Sequence, residues 1–169
     1  MRDRTSRIEG REKGWDGRSS RAVDEVDRRL LAELIRDGRM SIRTLADRVH
    51  ISRANAYARV GRLLRDGVIT GFTARIDPER AGLGTSAYVS VRIQQNTWRE
   101  VSAQLRNIRY VEHVALVGGD YDVLVLVRAP DNAALRHVVL ERIPGIPGVE
   151  ASRTWLIFEE LTGVGAQWT

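Results

Sequence analysis

The residues best suited to chemistry in this chain are arginines. Residues 39–65 hold seven arginines and one acid, Asp47, a local net charge of +6. Such a patch suits a polyanion. Within it, Ser52-Arg53-Ala54-Asn55 opens a segment that continues through Arg59 and Arg62. Arginine can donate two bonds to guanine O6 and N7, and asparagine can pair with adenine N6 and N7. Ser41 and Arg43 stand at the start of the preceding segment, where a capped helix end and nearby cations suit phosphates. The simpler alternative for Arg59 and Arg62 is a surface arginine paired with a neighbouring acid such as Asp66.

A second set is Val117-Gly118-Gly119-Asp120-Tyr121-Asp122. Glycine amides leave room for a carboxylate, an aspartate can accept from an α-ammonium, and Tyr121 offers an aromatic wall or a hydroxyl. A tight hairpin turn accounts for the same residues. The Lys-Ser/Thr and following helix of a phosphate-binding loop are missing. No nucleophile–base constellation is present, so an enzyme is not expected. There is no cysteine and the three histidines lie far apart, so neither a metal site nor a cofactor is expected.

These residues need elements to carry them. The spacing predicts a first helix from Val23, with Val26, Leu30, Leu31 and Leu34 as its stripe, Asp24 as cap and Gly38 as stop. Ser41 caps a second helix with Ile42, Leu45, Ala46 and Val49 inward, and Ser52 caps a third running to about Asp66. Two short capped helices joined by a tight turn, with small Ala46 at the approach, form a helix-turn-helix. At 100° per residue, Ala56, Tyr57, Val60, Leu63 and Leu64 fall within about 80° of Arg53. Asn55, Ala58, Arg59, Arg62 and Asp66 are expected opposite, facing outward. Arg53, in the first turn, reaches past the helix end. Val68–Phe72 looks extended, and residues 70–84, with Pro78 and several glycines, read as a connector with at most one short strand.

After residue 85 the pattern changes. Residues 86–94 alternate apolar and polar, Thr97-Trp98-Arg99-Glu100 reads as a capping box, and residues 111–117 and 121–129 read as strands. Asp131 caps another helix, and residues 149–159 form a last strand. The order β-α-β-β-α-β is the split, ferredoxin-like arrangement. Two helices cover one sheet face, and an apolar second face predicts a homodimer.

The domain plan is therefore a disordered basic arm at 1–22, a helix-turn-helix at 23–69, a linker at 70–84, a sensing and oligomerisation domain at 85–160, and a tail at 161–169. The 169 residues carry 27 Lys+Arg against 22 Asp+Glu, net +5, and only Lys13 is lysine. The charge divides as +3 over residues 1–23, +3 over 24–67 and −1 over 68–169. With 43% hydrophobic and 29% charged residues, the chain is globular in composition. No apolar run spans a membrane, and the charged start is not that of a secretory signal. A cytoplasmic, nucleoid-associated location is expected.

The N-terminal pattern Asp24, Asp27, Leu30-Leu31, Asp37-Gly38-Arg39, Ser41, Leu45-Ala46, Ile51-Ser52, Arg59-Val60, Leu63, Gly67-Val68-Ile69, Gly71-Phe72 resembles the Lrp/AsnC (feast/famine) family of prokaryotic transcription regulators. Gly119-Asp120-Tyr121-Asp122 between two strands, with Thr154 in the last, resembles that family's ligand-sensing domain. The resemblance spans roughly residues 23–160. It implies an α+β protein: an N-terminal winged helix-turn-helix for double-stranded DNA and a C-terminal ferredoxin-like βαββαβ sensor domain. It also implies a small effector, often an amino acid, near the Gly-x-Tyr-Asp loop, and dimers that can assemble into rings. Leu64 stands where the family usually has Glu, Gly118 where a Thr is common, and the basic arm is an extension.

Overall fold

A computed structural model describes residues 22–161 and 163. The expected arm, apart from Ala22, and most of the expected tail lie outside the described residues. The chain divides into two compact units between Thr73 and Ala74, inside the expected connector.

The N-terminal unit has three helices: α1 (Glu25–Arg36), α2 (Ile42–Val49) and α3 (Arg53–Arg65). Each begins where a short oxygen-bearing side chain takes up a free helix amide. Ser41 Oγ accepts from the Thr44 amide at 3.1 Å and Ser52 Oγ from the Asn55 amide at 3.2 Å. At α1 the cap is reciprocal. The Asp27 amide donates to Asp24 Oδ1 at 2.8 Å and the Asp24 amide to Asp27 Oδ2 at 3.1 Å. Leu30, Leu45, Val49, Val60, Leu63 and Ile69 form the core, and Ala46 and Ala56 are fully buried between them. The turn from α2 to α3 closes through the Ile51 amide on Ala46 O at 3.0 Å. None of the described residues between α3 and the next element lies in a strand, and the expected extended stretch Val68–Phe72 begins instead with a bend at Val68 and Ile69. It returns to α3 through the Ile69 amide on Leu63 O at 3.0 Å.

The C-terminal unit is a four-stranded antiparallel sheet with helices on one face. Its elements are β1 (Thr85–Ile93), α4 (Trp98–Arg106), β2 (Val111–Leu116), β3 (Val123–Ala129), α5 (Asn132–His137) and β4 (Val149–Ile157). The sheet order β2-β3-β1-β4 is that of the ferredoxin-like arrangement. Alternation in β1 puts Ala87, Val89 and Val91 under the helices, opposite Val127, Val125 and Val123 of β3. Val101 and Leu105 of α4, Leu135 of α5 and Val138 just beyond it close this core.

Two local expectations change. Thr97 does not cap α4 through its side chain; its hydroxyl donates back to Gln94 O at 2.7 Å. The helix after Asp131 is not uniform: it widens into a π-helical turn over Val138–Arg142, with the Ile143 amide on Val138 O at 2.9 Å. Gly148 takes φ +93°, and a Cβ there would stand 3.0 Å from Thr97 Oγ1, so the turn into β4 requires glycine.

Candidate nucleic-acid interface and effector loop

The buried side of α3 is centred on Ala56, Val60 and Leu63. By helical spacing this is roughly 50–60° from the expected meridian through Arg53. Tyr57 is therefore 74% exposed and Leu64 41% exposed, although both were expected inward. Tyr57 lies one turn from Arg53, and the two stand together on open surface. Sequence reasoning missed Tyr57 because it counted the ring as apolar. The closer spacing of Ala56, Val60 and Leu63 alone marks the stripe.

Arg59 and Arg62 correct the expected outward face. They flank the buried stripe and turn toward the start of α1, where the alternative of pairing with acids is realised. Arg59 Nη1 donates to Asp24 Oδ2 at 2.6 Å and to Asp27 Oδ1 at 2.9 Å, and its Nε donates to Asn55 Oδ1 at 3.0 Å. Arg62 Nη2 donates to Asp27 Oδ2. Asp66, the acid expected beside Arg62, is 3.9 Å from its Nη1.

Asp27 is fully buried. Burial works to raise its pKa, but the bonds from Arg62 and Arg59 and from the Asp24 amide outweigh it and hold the carboxyl below the usual range. The Arg59 guanidinium lowers the pKa of Asp24 to about 2. The same bonds, Asp24 first, raise that of Arg59.

The remaining predicted residues are exposed. Ser41 and Ser52 spend their hydroxyls as caps, and Asn55 holds Arg59. Among the described residues, no acid lies within ion-pair distance of Arg43, Arg53 or Arg65. Arg48 is engaged with Glu33 at 2.7 Å. The outer surface of α2–α3 thus presents Arg43, Arg53 and Arg65, without ion-pair partners among the described residues, beside an aromatic ring.

In the C-terminal unit, Val117–Asp122 joins β2 to β3. The Val117 amide donates to Asp122 O at 2.9 Å and the Asp122 amide to Val91 O at 3.1 Å. Only Gly119 of the glycine pair has a positive φ, +134°; Gly118 does not, and a Cβ there meets nothing within 4 Å. Asp122 was expected to be available to a ligand's ammonium. Instead its Oδ2 accepts from the Ile93 amide at 2.8 Å, completing the last donor of β1. Asp120 is exposed, and its backbone carbonyl accepts from Arg92 Nη2 at 3.0 Å. Tyr121 packs edge-on to Trp155 at 6.4 Å, with the guanidiniums of Arg92 and Arg153 at 5.7 and 5.9 Å from its ring centre.

A nearly buried arginine that the sequence did not single out is Arg128. It bonds Glu112 at 2.6 Å, Glu160 at 2.8 Å and Ser86 at 3.2 Å, at the floor of a groove of about 810 Å³. Burial works against its charge, but the two glutamates outweigh it and raise its pKa.

A capped helix-turn-helix with an uncovered basic face, followed by a split βαββαβ domain with a glycine loop at its rim, defines a two-part protein that joins a nucleic-acid-binding module to a sensor-type module. Residues 23–70 match a winged helix-turn-helix DNA-binding model, and residues 86–163 match the Lrp/AsnC ligand binding domain. The chain is 32% identical over 147 residues to the leucine-responsive regulatory protein of Salmonella typhimurium, covering 85% of this chain and 90% of that one. It is 35% identical over 139 residues to an HTH-type transcriptional regulator of Pyrococcus horikoshii, covering 80% and 93%. A feast or famine regulatory protein from M. tuberculosis, solved with L-methionine, superposes with a TM-score of 0.77 at 33% identity, covering 85% and 97%. Escherichia coli AsnC shares the fold, with a TM-score of 0.77 at 20% identity, covering 86% and 99%. The chain belongs to the Lrp/AsnC family. It is a transcriptional regulator built of a helix-turn-helix DNA-binding domain and a ligand-binding domain.

Proposed function

We propose that α3 enters the major groove of double-stranded DNA with Arg53, Asn55 and Tyr57 toward the bases. Ser41, Arg43, Ser52 and Arg65 then face the phosphates, and Arg59 and Arg62 stand at the side of the helix. The observation that carries this reading is the face of α3 left uncovered by α1 and α2, whose arginines have no acid partner among the described residues. Bidentate arginine contacts to a base are worth about 1–3 kcal/mol of discrimination. Arg53→Ala should lower specific affinity by that amount and relax sequence preference at one position.

The effector reading places an amino acid at Val117–Asp122. Gly118, Gly119 and Asp120 offer open amides and a carboxylate, and Tyr121 a wall. It is supported by the L-methionine bound to the M. tuberculosis relative. The homodimer reading is supported by the sheet face away from the helices, where Tyr88 is 37% and Trp155 45% exposed. Two copies bring two recognition helices to two half-sites. Rings of dimers, and an effector that shifts DNA affinity through assembly, extend this reading.

One experiment tests the whole: selection of genomic DNA by the protein with and without each amino acid, with sedimentation of the same samples. Enrichment of discrete sites that changes with one amino acid is expected. DNA recovered without sequence preference would overturn the sequence-specific reading. A 19.0 kDa species at micromolar concentration would overturn the dimer.

A further inference from the structure

The ionic cluster at the start of α1 holds two acids in different situations. Asp27 has no exposed surface and bonds both Arg59 and Arg62. The Asp24 side chain is 50% exposed and, of the two arginines, bonds Arg59 alone. Beside them lies a shallow concavity of about 270 Å³, lined by Asp24, Asn55, Ala58, Arg59, Arg62 and Arg65. Ala58 leaves its floor low, and Arg59 and Arg62 are still 24% and 21% exposed there. The three hydrogen bonds of Arg59 run from Nε and Nη1, so the Nη2 protons are left for a further acceptor.

We infer that this concavity is a site for a backbone phosphate of DNA, and that the Asp24 carboxylate occupies its cation in the free protein. Asp27 is the fixed counter-charge that orients the two guanidiniums, because it cannot leave without exposing them. Asp24 is the exchangeable one. A phosphate oxygen can replace its Oδ2 on Arg59 while Asp24 Oδ1 goes on capping α1. Asp24 thereby lowers the general affinity for DNA without touching a base. It acts as a built-in competitor that weakens binding to every sequence alike. This inference rests on the proposal that α3 docks on DNA.

Asp24→Asn separates the two roles of the residue. Asparagine caps helices as well as aspartate does, so α1 keeps its start while the negative charge is lost. Removing one unit charge some 6 Å from a phosphate should tighten binding about 3- to 10-fold at low salt, equally across sequences. The slope of log affinity against log salt should steepen by about one. In Asp24→Asn/Arg59→Ala the gain should disappear. The measurement is a titration of the full chain with random-sequence duplex DNA at several salt concentrations, with thermal unfolding of each variant alongside. Unchanged or weaker binding by a folded Asp24→Asn protein, with the parent binding normally, overturns the inference alone. A gain that persists in the double variant also overturns it. No binding by the parent overturns the docking of α3 as well.

Discussion

Asp27 should be the residue on which the placement of α3 depends. Replacing it with alanine removes the acceptor of three bonds, from Arg59, Arg62 and the Asp24 amide. Bonds to a charged acceptor net about 1.5–3 kcal/mol each. The sum overstates the loss, because both guanidiniums are about a quarter exposed or less and can turn to water. Breaking a buried ion pair costs about 3–5 kcal/mol, and the partial exposure places this one near 3. At about 1.4 kcal/mol per decade, hydrogen-exchange protection of the α1 amides should fall roughly 100-fold. Asp27→Asn should lose nearly as much, since the amide turns an added N–H toward guanidinium donors. The pH dependence has a definite sign. Asp24 titrates at about 2 in the fold against an ordinary 3.8, and Asp27 is also lowered. Their stabilisation is therefore in place above about pH 4 and is lost as pH falls through the folded values. Protection of the α1 amides, relative to their intrinsic exchange, should fall below pH 4 in the parent and less steeply in Asp27→Ala. A loss of protection under about 5-fold, or an unaltered acid profile, would refute the assignment of Asp27 as the anchor.

Asp122→Ala should lower the stability of the C-terminal unit by about 1–3 kcal/mol in urea unfolding, because it leaves the Ile93 amide unpaired. Asp120→Ala should leave unfolding unchanged, so a ligand response lost in Asp120→Ala bears on contact while one lost in Asp122→Ala does not. Gly119→Val should cost about 1–3 kcal/mol at φ +134°, whereas Gly118→Thr, with open space for its Cβ, should stay within about 0.5 kcal/mol of the parent. Equal effects at the two positions would contradict the loop geometry. Ser90 Oγ is buried without a hydrogen-bond partner among the described residues, so Ser90→Ala should raise the melting temperature by a few degrees. A lower melting temperature would mean that the hydroxyl is satisfied in the assembled protein.

The elements were readable because their signals are local. Ser41, Ser52, Asp24 and Asp131 sit immediately before periodic apolar runs, and all four cap as their position suggests. Alternation in β1 and the apolar run of β3 gave the sheet faces, and the order of elements gave the ferredoxin-like topology. Thr97 failed as a cap because the turn after β1 draws its hydroxyl back to Gln94. What stayed hidden depends on contacts distant in sequence. The Asp27–Arg62 bond spans 35 residues, and the bond from Ile93 to Asp122 spans 29. Neither leaves a periodicity. Arg59 and Arg62 were legible as cations on α3, but their direction is set by α1, which no spacing within α3 reports.

The tie between Asp122 and β1 sets a minimum on what any occupant of the loop must supply. The loop end is held by Asp122 O to the Val117 amide, by its own amide to Val91, and by its carboxylate to Ile93. β1 also shifts register against β4 between Arg92 and Ile93, so the donor secured by Asp122 lies where the ladder is already interrupted. A molecule that settles on the loop without moving Asp122 does work on nothing beyond it. One that draws the carboxylate away must first offset an orphaned amide, about 1–3 kcal/mol, or a factor of roughly 5 to 150 in an equilibrium constant. Occupancy and response therefore separate. On the proposal that an effector binds here, a weak binder would fill the loop silently, and only a ligand that gains more than that factor by moving Asp122 would shift the population.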